Sequence, residues 1–352
     1  MLAALGRALP ESRTVILLNG WTPEFATWLR TKSVAGDWFT PWKRTPSRWD
    51  ADHQPNYRPI GAGIVRSILL RLNPSAGRRQ AALIKADRHL AMAYARNLKP
   101  HHRHLIIDQS LLVPLLRSGM LEARSYDVLA HSLPVGEIQQ RLDEAWQKSP
   151  SIESLNDFRI GGNFAEDEYR ALKGAGRVLT AHCEIYIHLS QSGITQLEKL
   201  DWTPPVVLAL RRPKPVGAAP VIGFPANALP RKGVVEIALA AGQLGWSVLI
   251  GGKPDPASLL WHGVDVQHRP MHDPDWLNSV DLVALPAFIE HRPDMLLKAL
   301  ACGVPTIASP ACGLPDDAGY IEVRPGDTMG LVAACRHAIS SLNDTAQEID
   351  AH

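Results

Sequence analysis

From residue 221 onward, short apolar runs alternate with helical stretches, and this alternation constrains the fold more than any other feature of the chain. Val221-Ile222-Gly223-Phe224 is followed by Arg231-Lys232-Gly233 and then by the helix-forming run Val234-Val235-Glu236-Ile237-Ala238-Leu239-Ala240-Ala241. The strand-like Trp246-Ser247-Val248-Leu249-Ile250 comes next and stops at Gly251-Gly252. Further apolar runs recur at 264–266, 281–285, 306–308 and 320–323, separated by helical patterns over 275–280, 294–302 and 328–342 and a short turn over 315–318. Strands apolar along their whole length belong in a parallel sheet covered on both faces. About six of them complete a doubly wound domain, whose ligands bind beyond the carboxyl ends of the strands.

The first two hundred residues read less cleanly. Val15-Ile16-Leu17-Leu18-Asn19-Gly20 has the form of a first strand ending in a glycine turn. Strands are also predicted at 105–107, 127–130 and 177–180, with a helix over 136–147. Residues 36–62 are rich in Pro, Trp and Arg without a period, which predicts a long loop. Apolar residues at helical spacing over 64–72, interrupted by Arg66 and Arg71, predict a helix, read as a core helix in preference to an amphipathic surface one. The Pro-rich, basic segment from Trp202-Thr203-Pro204-Pro205 to Arg211-Arg212-Pro213-Lys214-Pro215 is the predicted interdomain crossing. The expected division is a domain over 1–205, a second over 206–340 and a C-terminal tail over 341–352, open to crossing back to the first.

A chain of 352 residues is long enough for two domains with substantial cores. There is no apolar run of about 18 residues, so no membrane-spanning helix is expected. The apolar start is short and soon reaches Glu11 and Arg13, which does not read as a secretory signal. Cys183, Cys302, Cys312 and Cys335 form no CxxC pair and no zinc spacing, and buried thiols in a reducing, cytoplasmic compartment are expected. The net charge of +2 conceals an asymmetry: residues 1–105 hold 17 Lys/Arg against 6 Asp/Glu, together with five of the ten tryptophans. A basic, Trp-rich third suits an anionic membrane surface or a phosphorylated acceptor; a solvated basic face accounts for it equally well. No nucleic-acid partner is expected.

Three successive strand-to-helix corners carry chemistry. Lys232-Gly233 closes a loop at a helix start, where backbone N–H groups and the helix dipole favour phosphate. A Walker A loop is absent, and a surface lysine is the plainer alternative. Glu290 follows the run 281–285 and is followed by His291, Arg292 and a helix opening near Asp294, where the acid suits the dipole. A carboxylate there can accept from sugar hydroxyls or simply face solvent. Pro310-Ala311-Cys312-Gly313-Leu314-Pro315 follows the next strand, and its glycine permits either close approach of a ligand or a tight turn. Together the three corners describe a nucleotide crevice. The run His101-His102-Arg103-His104 contains metal-ligand side chains but reads better as a solvated approach to a strand.

The order of these motifs resembles the donor domain of GT-B glycosyltransferases. Nine residues separate Gly223 from Gly233, with a lysine before the second glycine; Ile250-Gly251-Gly252 and Asp281-Leu282-Val283-Ala284-Leu285-Pro286 follow. Then comes Glu290, seven residues, and Lys298-Ala299-Leu300-Ala301-Cys302-Gly303-Val304-Pro305-Thr306-Ile307-Ala308-Ser309. The likeness is greatest to the retaining family 4; it covers about 221–339 and is vaguer over 1–205. It implies an α/β fold of two Rossmann-like doubly wound domains facing a central cleft, the first on the acceptor side and the second binding the donor. It implies that Lys232 contacts the donor diphosphate and Glu290 the donor sugar, with His131 near the sugar from the first domain. Gly20, Gly223, Arg231, Gly251, Arg292, Lys298, Gly313 and Leu314 complete the implied donor-binding set. The chain departs from the family at Phe224, where an arginine is usual, at Lys298, where a second glutamate binds ribose, and at the bulky loop His291-Arg292-Pro293. The implied activity is transfer of a hexose, with retention and without a metal ion or resident cofactor, from a nucleotide-sugar co-substrate to a glycan or lipid-linked acceptor. Such an enzyme would serve polysaccharide biosynthesis, in the cytoplasm or peripherally at the inner face of the membrane. The alternatives are a catalytically degenerate GT-B binding module and another GT-B activity, epimerisation or the coupling of a nucleotide-linked cyclitol.

Overall fold

The computed structural model of the protein describes residues 13–42, 56–73, 76–156, 159–203, 205–206, 219–254 and 259–350. Two six-stranded sheets account for its strands, and every strand pairing is parallel. In chain order the first half runs β1 (Arg13–Leu17), α1 (Pro23–Thr31), β2 (Gly36–Phe39), α2 (Ile60–Leu72), α3 (Ala76–Ala95), β3 (His102–Asp108), α4 (Gln109–Arg117), β4 (Ser125–Leu129), α5 (Val135–Lys148), α6 (Phe164–Lys173), β5 (Arg177–Thr180), α7 (Cys183–Gln191) and β6 (Leu197–Lys199). The second half runs β7 (Val221–Phe224), α8 (Val234–Leu244), β8 (Ser247–Ile250), β9 (Val266–His268), β10 (Leu282–Leu285), α9 (Asp294–Ala301), β11 (Thr306–Ala308), β12 (Ile321–Glu322) and α10 (Thr328–Asp350). The fold class expected from the alternating pattern is the one observed.

The strand orders fix where ligands can bind. The first sheet is ordered β2-β1-β3-β4-β5-β6 and the second β12-β11-β10-β7-β8-β9. The order reverses between β1 and β3 in one and between β7 and β10 in the other. At such a reversal the helices leave to opposite faces and open a crevice beyond the carboxyl ends of the two strands. The described residues of 1–135, 159–181 and 188–203 form one compact unit, and those of 136–158, 182–187 and 204–352 form the other. In the second unit Ile222, Phe224, Val248, Ile250, Leu282, Val283, Ile307 and Trp276 make one buried core. In the first, Ile16, Leu18, Trp28, Trp38, Ile106 and Leu129 pack together.

Several expectations are corrected. The helix expected in the core, α2, buries only Gly63, while Ile60, Ile64, Ile68 and Leu72 are 56%, 48%, 50% and 72% exposed. A helix shows its apolar stripe in the same way whether it faces a core or the outside, and only the surroundings decide. The stretch expected to be one long loop contains β2, paired along β1, and the start of α2; residues 43–55 of it lie outside the described residues. The approach to β3 is not solvated at His102, which is buried with Nε2 3.0 Å from Asp37 Oδ2. The helix expected over 275–280 is a single 3-10 turn, Leu277–Ser279. Most of the expected interdomain crossing falls outside the described residues, and α10 runs on beyond 342, as far as Asp350. All four cysteines are buried free thiols. Among the described residues no helix is long and apolar enough to cross a membrane.

The exposure of α2 has a direct thermodynamic consequence. Ile64→Ser and Ile68→Ser are each expected to lower unfolding free energy in urea titrations by no more than about 1 kcal/mol, well below the cost of truncating a core isoleucine, because both side chains are about half exposed.

Candidate functional site

In the second unit, the chain leaves β7 and reaches the 3-10 turn Pro230–Lys232, which ends in Gly233 with φ +82° and passes directly into α8. The glycine is required twice over. Its backbone is left-handed, and a Cβ there would stand 2.5 Å from the carbonyl oxygen of Pro286, just past β10. This close approach lets the two loops of the switch point join. Phe288 N–H donates to Arg231 O at 3.0 Å. Lys232 Nζ donates to Ile289 O at 2.8 Å and to Glu290 Oε2 at 3.0 Å. Glu290 Oε1 accepts from the N–H groups of His291 and Arg292 at 2.8 and 2.9 Å. The ion-paired side chains are only 18% and 12% exposed, so each would leave the other's charge poorly solvated if it were removed.

The Glu290 loop is held from two further directions. Ile289 is buried in a small cluster with Leu142 and Ala145 of α5 and with Leu155, and Phe288 packs against the same cluster. His182, just before α7, donates from Nε2 to Glu290 O at 2.8 Å and accepts from Ile185 N–H at Nδ1, at 3.3 Å. Burial pushes its pKa down from 6.5 to about 4, only partly opposed by the Glu290 carbonyl, so the ring is neutral near pH 7. Gly313, left-handed at φ +57°, lies against this imidazole, and a Cβ there would meet Nδ1 at 2.0 Å. Sequence reasoning missed His182. Its signal was a histidine two residues after the run 177–180, past the carboxyl end of a strand.

The remaining candidates of this unit are distributed as follows. Arg231 supplies the carbonyl that receives Phe288 N–H. Arg292 is exposed, with Nη2 3.5 Å from Asp294 Oδ2 at the start of α9. Lys298 lies half-buried about one turn into the same helix. Gly223 and Gly251 leave room for Trp276: a Cβ would come within 2.9 Å and 3.2 Å of its ring, and at Gly251 within 2.4 Å of Met271 as well. Leu314 is buried in the core. Glu236, in the first turn of α8, is a buried carboxylate whose Oε2 has no hydrogen-bond partner among the described residues and whose pKa is raised by burial.

The first unit builds a second rim from the same topology. Asp108 ends β3 and caps α4, accepting from Ser110 N–H at 3.1 Å and Ser110 Oγ at 2.6 Å. His131 Nε2 lies 3.0 Å from Asp108 Oδ1, and Gly20 N–H donates to Asp108 Oδ2 at 3.3 Å. Burial alone would raise the Asp108 pKa, but His131 and Ser110 together hold it at about 2. Asn19 Nδ2 donates to Asp87 Oδ1 and Ser110 Oγ, both at 2.8 Å. Arg66 Nη1 donates to Asp87 Oδ1 at 2.8 Å and to Asn19 Oδ1 at 3.3 Å. Gln109 Oε1 accepts from the N–H groups of His131 and Ser132, both at 3.1 Å, and is itself fixed by Glu168. The candidates Gly20 and His131 are therefore gathered on one buried carboxylate.

Asp37, His101 and His102 bring three potential metal-ligand atoms within 4.8 Å of one another. The Lys99 N–H donates to His102 Nδ1 at 3.1 Å, so Nε2 carries the ring proton toward Asp37. A metal on Nε2 would demand either an imidazolate or the loss of one of these bonds, and the set fits a structural histidine.

Residues 219–341 match the family model described as "Glycosyl transferases group 1", a span that contains the Lys232, Glu290 and Gly313 loops. No curated protein matches the sequence significantly. Solved structures similar over nearly the whole chain include sucrose-phosphate synthase from Thermosynechococcus elongatus, with a TM-score of 0.57 and 14% identity over 93% of this chain and 89% of that one. An alpha,alpha-trehalose-phosphate synthase (UDP-forming) from Burkholderia vietnamiensis gives 0.55 and 12% over 94% and 90%. The lipopolysaccharide outer core galactosyltransferase WaaB gives 0.54 and 14% over 93% and 90%. At these identities the likeness is one of fold, and the fold is GT-B: two parallel six-stranded α/β units.

Two tests address the supports of the Glu290 loop. Gly233→Ala should lower stability by about 2 kcal/mol or more in urea unfolding, from left-handed strain and the Pro286 contact together. The neutral His182 ring makes the unfolded chain the better proton acceptor, so its contribution is complete above about pH 6.5 and fades as pH falls toward 4. Wild type is expected to lose on the order of 3 kcal/mol across that window from this group, and His182→Gln to lack that slope in unfolding curves taken between pH 4 and 7.

Proposed function

We propose that the protein is a glycosyltransferase that moves a hexose from a nucleotide-sugar donor to a glycan or lipid-linked acceptor with retention, as a relative of family 4. The observation that carries this reading is the meeting of Lys232 and Glu290 at the switch point of the second sheet. The family model matching 219–341 and the GT-B fold support it.

The chemistry follows from the charges. The leaving group is a nucleoside diphosphate, and cations near its oxygens stabilise the charge that develops as the glycosidic bond breaks. Lys232 supplies one such cation, the N-terminus of α8 follows it in the chain, and Arg231 and Arg292, on the same two loops, are candidates for a second. A diphosphate that draws Lys232 to itself releases Glu290 Oε2 to accept from a hydroxyl of the donor sugar. Glu290 Oε1 stays held by two backbone N–H groups, so the carboxylate keeps its orientation when its partner changes. These residues need no metal ion to neutralise the leaving group. On the acceptor side, the Asp108 carboxylate orients His131 through Nε2. The enzyme would work in the cytoplasm or peripherally at the inner face of the membrane, in the assembly of a polysaccharide.

Calorimetry with UDP, GDP, ADP and TDP, followed by donor-hydrolysis assays, tests this reading. Lys232→Ala should weaken nucleoside diphosphate binding by about tenfold or more. Glu290→Gln should lower kcat by roughly a hundredfold while leaving the nucleotide Kd within about threefold of wild type. A second reading is favoured by Lys298 and Phe224, which replace two groups usual in the resembled family: a binding module without turnover. It prevails if wild type hydrolyses no donor and Lys298→Glu gains activity.

A further inference from the structure

Helix α2 presents Ile60, Ile64, Ile68 and Leu72 at intervals of four residues, all on one face and all about half exposed or more. Four large aliphatic side chains in a row over a helix of about 20 Å form a contiguous apolar stripe, which marks an interaction surface. The helix is far too short to span a bilayer, which takes about 20 apolar residues.

The charge around this stripe selects its occupant. Between Asp52 and Asp87 the chain holds six Lys or Arg and no Asp or Glu, and of the six Arg66 is turned inward to Asp87. Arg58, just before α2, and Arg71, in its last turn, are both exposed and bracket the stripe. An apolar face bracketed by arginines, on a stretch without a single acid, is the pattern of a helix lying in the headgroup region of an anionic bilayer.

The inner face of the same helix reaches the rim of the first unit. Gly63 is buried against Trp42, whose side chain a Cβ would meet at 2.7 Å. Arg66 bonds Asp87 and Asn19, and Asn19 bonds the Ser110 hydroxyl that donates to Asp108. One helix thus carries an outward lipid-compatible stripe and an inward link to the carboxylate that holds His131.

We propose that α2 is an interfacial helix: it docks the protein on anionic lipid and so brings a membrane-borne acceptor to the His131–Asp108 rim. The docking stands on the stripe and its charges; the delivery of an acceptor rests on the function proposed above.

The test is co-sedimentation of the full chain with vesicles of phosphatidylcholine alone or with 30% phosphatidylglycerol. Wild type is expected to partition at least about tenfold more strongly onto the anionic vesicles, and to lose that excess in molar salt. The double variant Ile64→Ser/Ile68→Ser should bind them about tenfold less, with its nucleotide binding and donor hydrolysis unchanged. Arg58→Gln/Arg71→Gln should reduce the anionic preference. The proposal is overturned if wild type ignores anionic vesicles, as a stripe reserved for a protein partner would, if both compositions bind alike, or if the isoleucine variant binds as well as wild type. Vesicle binding is read without any turnover. Failure of the transferase reading therefore leaves this result intact, and an absence of binding in a protein that hydrolyses donor sinks the docking alone.

Discussion

The organisation of the second unit depends on one close approach, that of Gly233 to the carbonyl of Pro286. Only a residue without a side chain lets the loop after β7 lie against the loop after β10, and only that contact brings a lysine and a glutamate from separate corners into one ion pair. The pair itself is a modest source of stability, since taking both charges out of water costs much of what their attraction returns. Its value is positional. All three oxygens of Glu290 have a partner: the carbonyl meets His182, one carboxylate oxygen meets two backbone N–H groups, and the other meets Lys232. A side chain fixed in this way exchanges one partner for another without searching for its rotamer.

The first unit applies the same topology with different chemistry. There the reversal between β1 and β3 gathers a carboxylate, a histidine, a serine and an asparagine in place of a lysine–glutamate pair. Asp108 is kept ionised by its neighbours although it is buried, so the rim holds a fixed negative charge beneath the imidazole. One rim is built around a cation suited to phosphate, the other around an oriented histidine suited to a hydroxyl.

Much of the fold could be read from the residues, because buried parallel strands are apolar along their whole length and stop at glycine or proline. The corners bearing Lys232, Glu290 and Gly313 could be found for the same reason. Asp108 was within reach of that logic, since it follows Leu105-Ile106-Ile107 just as Glu290 follows its own strand. His182 was harder: its partner is a backbone carbonyl more than a hundred residues away, and nothing in the local pattern names it. Gly223 and Gly251 belong to the donor-binding set that the resemblance implies, and the local pattern does not reveal that Trp276 lies against both. The facing of α2 was beyond reach altogether, because a stripe of isoleucines has the same period on either side of a helix.

The way the second unit is assembled from the chain has a practical consequence. Its members include 136–158 and 182–187, upstream of the segment that carries all its strands. A fragment that began after residue 205 would keep both charged partners of the switch point. It would lack the imidazole under the Glu290 carbonyl and the Leu142–Ala145–Leu155 shelf beneath Ile289. Such a piece would hold its sheet while its Glu290 loop went slack, a floor without the walls that the whole polypeptide supplies.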